Sequence, residues 1–241
     1  MQVLSLRWYA KYGHFLRAEA NVNALSYPLP PRTAILGMLG AILGLAKDTL
    51  PEVLGNTKVA IGGKLPQRFW HRIKLRTNMP APLPLTIKKS QKGTSKGSKE
   101  DVKLTLQEWL WQPDFLVHIA MPDNPKVFTE LCARIEQRRW HFSPSMGLSE
   151  LLANVELIGN SLAKPVAAGQ IKIASIFPQT AGRVLNTGES LGIHLLRMPH
   201  SVDCERIFSH QSYYLEHQGR SFTVETEQAW ELEGKLAVVF C

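Results

Sequence analysis

The feature that most constrains this chain is an abrupt break in composition between residues 80 and 99. Pro80, Pro82 and Pro84 run into Lys88-Lys89-Ser-Gln-Lys92-Gly-Thr-Ser-Lys96-Gly-Ser-Lys99, a Gly/Ser/Lys tract too polar to offset the entropy of its own ordering. Before it, Gln67 to Asn78 is extended in character and dense in Arg68, Arg72, Lys74 and Arg76, with Phe69 and Trp70 between them. After it, Val102 to Trp111 returns to an apolar pattern. Such a tract does not belong in a core, so the pattern predicts an insertion over about 66–108, two extended arms around a protruding basic tip.

Charge sharpens the point. The chain of 241 residues carries a formal +8, and the stretch from Lys64 to Lys103 holds eleven Lys or Arg against only Glu100 and Asp101, a net of +9, while the remainder carries 17 against 18. Positive charge confined to one segment is the footprint of a surface that meets a polyanion, because neutralising phosphates releases condensed counterions. A solvated lysine loop is the competing reading of the run taken alone.

The flanking pattern defines the scaffold. Gln2 to Ala10 alternates as a strand around Val3, Leu4, Leu6, Trp8 and Tyr9. Lys11 to Pro31 is a loop whose closing prolines lack donors. From Arg32 the spacing predicts a buried helix with Ile35, Leu39, Ile42 and Leu43 on one stripe, and Gly37, Gly40 and Gly44 placed for close packing against a neighbour. Phe115, Val117 and Ile119 alternate as a strand, Val127 to Arg139 has helical period, and Leu151 to Ile158 supplies another strand. With the insertion, the order is strand, helix, strand, insertion, strand, helix, strand, the split βαβ or ferredoxin-like arrangement of an α+β fold. We place this domain at 1–160. Short strands at Gln170 to Phe177, Arg206 to Glu216, Ser221 to Thr226 and Lys235 to Phe240 predict a small β-rich region over 161–241.

Several chemistries are disfavoured. The glycines at 37, 40 and 44 lack the order and the Lys-Ser/Thr of a P-loop, so no nucleotide cofactor is expected. Cys132, Cys204 and Cys241 are odd in number and far apart, which fits a reducing, cytoplasmic location. The weakly polar run from Thr33 to Ala46 is shorter than the ~20 residues a membrane-spanning helix needs, and no membrane partner is expected. His194 and His200 lack the companions of a metal site, and His210, Tyr213, Tyr214 and His217 lie on a strand that carries them to different faces. No catalytic residue, metal or cofactor is assigned.

At Tyr12-Gly13-His14-Phe15, at Ser26-Tyr27-Pro28-Leu29-Pro30-Pro31-Arg32-Thr33-Ala34-Ile35-Leu36-Gly37 and at Pro144-Ser145-Met146-Gly147-Leu148-Ser149-Glu150-Leu151-Leu152-Ala153, the sequence resembles the CRISPR-associated Cas-five family of the RAMP superfamily. The segment from Gln107 to Ile119 is similar to that family's return from its thumb hairpin into the core sheet. The resemblance implies a modified RNA-recognition (RRM) fold whose thumb contacts the guide RNA, and a subunit of Cascade, the type I interference complex, that caps the 5′ handle of the crRNA; its texture is closer to subtypes I-B and I-A than to I-C. It also implies Cas-seven backbone subunits, a Cas-eight-type large subunit and target DNA near the PAM-proximal end as partners. One branch, in type I-C systems, cuts repeat RNA without metal using tyrosine, lysine and histidine; that set finds no matching motif here, so a non-enzymatic scaffold is expected and repeat-RNA cleavage is the alternative.

The expected RNA contacts follow from chemistry and resemblance together. Tyr12, His14, Phe15 and Arg17 offer stacking and phosphate-binding groups on one loop; taken alone, Tyr12 and Phe15 read rather as core edges and His14 as a satisfied loop histidine, and the resemblance turns the reading towards RNA. Arg32 offers a guanidinium at a helix start, for a phosphate or for a structural ion pair. Ser145, Met146 and Gly147 offer backbone donors and a wedge beside a base, or a helix cap. Arg68, Arg72, Lys74, Arg76, Lys88, Lys89, Lys92, Lys96 and Lys99 are expected to add sequence-independent phosphate contacts.

Overall fold

The first strand, β1 (Gln2–Ala10), is central because Leu4, Leu6 and Trp8 on one side of its pleat and Val3 on the other are all buried. In the computed structural model, which describes residues 1–76, 102–185, 191–234 and 236–241, the chain continues through β2 (Tyr12–Gly13), α1 (Arg32–Leu43), α2 (Leu50–Leu54), β3 (Lys58–Gly62), β4 (Gln67–Arg76), β5 (Val102–Trp111), β6 (Asp114–Ala120), α3 (Pro125–Glu136) and β7 (Ala153–Leu162). β3, β6, β1 and β7 form one antiparallel sheet in that spatial order. β1 lies between β6, with Trp8 opposite Phe115, and β7, with Trp8 opposite Val155.

Both predicted helices form, and their apolar stripes meet the sheet. Ile35, Leu39 and Ile42 of α1 and Phe128, Leu131 and Ile135 of α3 share a core with Leu4, Leu6 and Trp8. The expected packing of the α1 glycines holds at Gly40, where a side chain would overlap Leu50, but not at Gly37, which faces open space.

Beyond β7 come β8 (Lys164–Pro165), β9 (Gly169–Ile173), β10 (Phe177–Pro178), β11 (Gly182–Val184), β12 (Ile193–Val202), β13 (Phe208–Glu216), β14 (Phe222–Thr226), β15 (Ala229–Leu232) and β16 (Leu236–Val239). They make a sheet ordered β10-β13-β12 and a larger one ordered β11-β14-β9-β16-β15-β8. The expected boundary at 160/161 falls within β7. Met198, Tyr213 and Leu215 belong to the same core as α1, and Leu232 and Val238 pack on Val3, Ala60 and Ala120 across the other face of the first sheet. On that face Ser5 Oγ lies 2.8 Å from His118 Nδ1, both buried. β12 and β15 escaped the sequence reading: β12 breaks alternation with Leu195-Leu196, and its register with β13 shifts between Pro199 and Ser201.

The insertion is a hairpin. β4 and β5 pair antiparallel from Gln67 opposite Trp111 to Arg76 opposite Val102. Its two roots are short: Gly63 to Pro66 joins β3 to β4, and Gln112-Pro113 joins β5 to β6.

Candidate nucleic-acid interface

Strand alternation sorts the hairpin into two unlike faces. One carries Arg68, Trp70, Arg72 and Lys74 from β4, all exposed, beside Leu104, Leu106, Glu108 and Leu110 from β5. The other carries Phe69 and His71 beside Trp109 and Trp111, joined by Tyr12 of β2, which pairs opposite Trp111. The Tyr12 ring lies 5.7 Å from Phe69 and 5.4 Å from both Trp109 and Trp111, and His71 lies 4.3 Å from Trp109. The sequence reading placed Tyr12 at RNA and passed over Trp109 and Trp111. Their spacing of two, facing Phe69 and His71 across a hairpin, was the available signal.

The base of the hairpin is braced by Glu108. Its buried carboxylate accepts a hydrogen bond from the Ser26 backbone N–H at 2.9 Å and pairs with Arg68 at 3.2 Å, and its carbonyl oxygen lies 2.7 Å from His14 Nδ1. The loop before α1 adds a strand-like edge, with Ala24 N–H donating to Leu106 O at 2.9 Å and Ala24 O accepting from Glu108 N–H at 2.8 Å. Where β4 begins, Leu65 N–H donates to His217 O at 2.9 Å. The turn after β13 is held by Glu216. Burial alone would push its carboxyl up, but N–H donors of Arg220 and Gln218 and the Arg220 guanidinium outweigh that and hold it below the usual carboxylate range.

Several residues expected at RNA are interior, each for a visible reason. Arg32 is 7% exposed, and its guanidinium donates to four backbone carbonyls: Gly55 and Thr57 at 2.6 Å, His200 at 3.1 Å and Cys241 at 3.2 Å. It staples α1 to β3, β12 and the last residue rather than facing a phosphate. His14 is buried against Glu108, and burial pushes its pKa down. Phe15 packs edge-on against Trp8, ring centres 6.0 Å apart. Met146 is fully buried, its backbone N–H donating to Leu151 O at 2.7 Å and its carbonyl accepting from His14 N–H at 3.0 Å. Ser145 bridges Leu152. Gly147 has φ +97°, and a side chain there would overlap the His14 carbonyl oxygen, so its small size serves protein packing.

Arg17 is half-buried: its Nε donates to Ser26 O at 3.0 Å, and its guanidinium lies over the Tyr27 ring. It nevertheless borders an open concavity between the hairpin root and the β12–β13 hairpin, together with Arg7, Lys64, Arg68, Trp111, His194 and His217. Asp114 is the carboxylate there and is engaged by Arg7 at 2.7 and 2.9 Å; Arg17 pairs with Glu19 at 3.7 Å and Arg68 with Glu108 at 3.2 Å, which leaves Lys64 as the cation of the cleft with no carboxylate partner among the described residues. Arg76 closes β4 opposite Val102, and Lys88, Lys89, Lys92, Lys96 and Lys99 lie outside the described residues. Of the histidines and tyrosines read as dispersed to different faces of one strand, Tyr213 is buried with its hydroxyl 2.8 Å from His200 Nδ1, while Tyr214 packs into a different core. No helix among the described residues is long and apolar enough to cross a membrane.

Comparison with known proteins agrees with this architecture. The chain is similar to a chain of a CRISPR RNA-guided surveillance complex, at 14% identity and a TM-score of 0.59, with 92% of this chain and 91% of that one covered. It is similar over the full length of both to a CRISPR protein from Archaeoglobus fulgidus, at 15% identity and a TM-score of 0.57. A third structure, of a Cas protein, aligns at 11% identity and a TM-score of 0.51, covering 91% and 98%. No curated protein matches the chain by sequence. The profile of the family described as CRISPR-associated protein (Cas_Cas5) matches residues 3–213, which runs past the first sheet into β13 and so reaches well into the β-rich region after residue 160. The chain belongs to the CRISPR-associated Cas-five family.

Proposed function

We propose that the chain is a non-catalytic, RNA-binding subunit of a type I CRISPR surveillance complex, holding the 5′ handle of the crRNA and capping the backbone near its PAM-proximal end. In this reading the sheet β3-β6-β1-β7 with α1 and α3 is a ferredoxin-like, RRM-related unit, and the β4–β5 hairpin is its thumb. The observation that carries it is the row of exposed Arg68, Arg72 and Lys74 on one face of that hairpin, running into the cleft of Lys64 and Arg17. Cas-seven backbone subunits, a Cas-eight-type subunit and target DNA are the partners this placement requires. The likeness to a chain of an RNA-guided surveillance complex supports the assembly.

The test is end-labelled cognate repeat RNA incubated with the protein in EDTA, run on native and denaturing gels. A shifted but intact RNA is expected. Cleavage at one site would overturn the non-catalytic part and turn attention to His194 and His217, whose rings lie 6.1 Å apart at the cleft. An RNA left unshifted would overturn the reading as a whole.

A further inference from the structure

Trp70 is the unexplained residue of the basic face. It is 51% exposed, an unusual position for the largest apolar side chain. Among the described residues it has no ring contact and no hydrogen bond, whereas Phe69, Trp109 and Trp111 on the opposite face are packed on one another. Its neighbours along β4 on the same face are Arg68 and Arg72, each about 6.6 Å away by strand geometry, with Lys74 one step further. Directly across the ladder is Glu108, whose carboxylate is already occupied by Ser26 and Arg68. Leu104, 59% exposed, extends the apolar strip on that face. Arg72 and Lys74 have no carboxylate partner among the described residues.

An exposed indole beside the uncompensated cations Arg72 and Lys74 suits a ligand with both a π-face and a negative backbone. Single-stranded nucleic acid has both: bases stack on aromatic side chains while basic groups hold the phosphates. An apolar protein surface would satisfy Trp70 and Leu104 but would bury Arg72 and Lys74 at a cost. We propose that Trp70 is the stacking platform for one base of a single-stranded RNA lying along the Arg68–Lys74 face. The inference rests on the RNA-binding reading above and adds a base contact to its phosphate contacts.

The experiment is equilibrium binding of the intact protein, and of its Trp70→Ala and Trp70→Phe variants, to single-stranded repeat RNA and to a series of the same RNA with single abasic positions. Because Trp70 is exposed, both variants should fold as the parent does, checked by urea denaturation. Trp70→Ala should weaken binding about 5- to 150-fold, the alanine cost of one stacked base, and Trp70→Phe should restore most of it. The salt slope should be unchanged, since no cation is removed. At one abasic position the parent should bind as weakly as Trp70→Ala does, with no further loss when the two are combined. Unchanged affinity in Trp70→Ala would overturn the proposal. So would a loss of the same size on every abasic RNA, or a variant that binds RNA normally but no longer associates with its protein partners. If the parent protein binds no RNA, the reading of the whole chain fails instead, and this inference with it.

Discussion

Arg32 gives the sharpest test, because its position predicts one phenotype and its chemistry in the sequence another. Replacing it with methionine keeps an unbranched apolar stem, shorter than that of arginine, and removes every donor. Four backbone carbonyls, of Gly55, Thr57, His200 and Cys241, lose their bonds together. At ~1 kcal/mol net for an ordinary hydrogen bond the loss is ~4 kcal/mol; charge-assisted bonds are stronger, but the guanidinium is desolvated, which pushes its pKa down, and methionine recovers that cost. For a chain of this size ~4 kcal/mol lowers Tm by about 8–16 °C. Urea and thermal unfolding followed by tryptophan fluorescence would read it directly. Arg32→Lys should recover less than half, because a single ammonium does not span four carbonyls set by a planar fork. If Arg32→Met unfolds at the same urea concentration as the parent while its RNA affinity falls tenfold or more, the staple argument is wrong and the residue is a phosphate ligand.

Other outcomes follow from features already described. Gly147→Ala forces a left-handed residue to carry a side chain against the His14 carbonyl, and should cost at least ~2 kcal/mol in urea unfolding, with exchange of the His14 amide accelerated. His118 has a folded-state pKa of about 4 against an ordinary 6.5 because burial disfavours the cation, so the unfolded chain takes up the proton first. Its contribution is therefore intact above about pH 6.5, and up to ~3 kcal/mol of stability is lost as pH falls towards 4; His118→Gln should flatten that slope, and an unchanged slope between pH 6.5 and 5 would refute the assignment. Arg72→Gln with Lys74→Gln should reduce the salt slope of single-stranded RNA binding by ~1.4 without changing urea stability, since both side chains are exposed.

What was legible in the sequence had local causes. β1 was read at its observed limits, and the stripe of α1 was read because burial of one face writes a period into neighbouring residues. The hairpin was read from the contrast between its apolar return strand and its polar tip, since composition alone forbids a core position there. What the sequence left hidden is non-local. Arg32 after three nearby prolines looks like an anion site until residues 55, 57, 200 and 241 supply the carbonyls that surround it. Met146 and His14 sit in a motif whose spacing tells nothing of which strand covers it. The aromatic face needed a register: only once Phe69 is known to stand opposite Trp109 do Tyr12, Phe69, Trp109 and Trp111 become one surface. β13 shows the same logic in reverse, for alternation alone sent Tyr213 and Tyr214 to different cores.

The two roots of the hairpin have a mechanical consequence. It leaves β3 through four residues and re-enters β6 through two, and β3 and β6 are neighbours in the central sheet, pairing from Lys58 opposite Ala120 to Gly62 opposite Leu116. An arm rooted so tightly in two adjacent strands has no hinge at its base among the described residues. A load on its outer end is delivered as torque to β3 and β6, and through β6 to β1, so that the hairpin and the core sheet tilt as one lever.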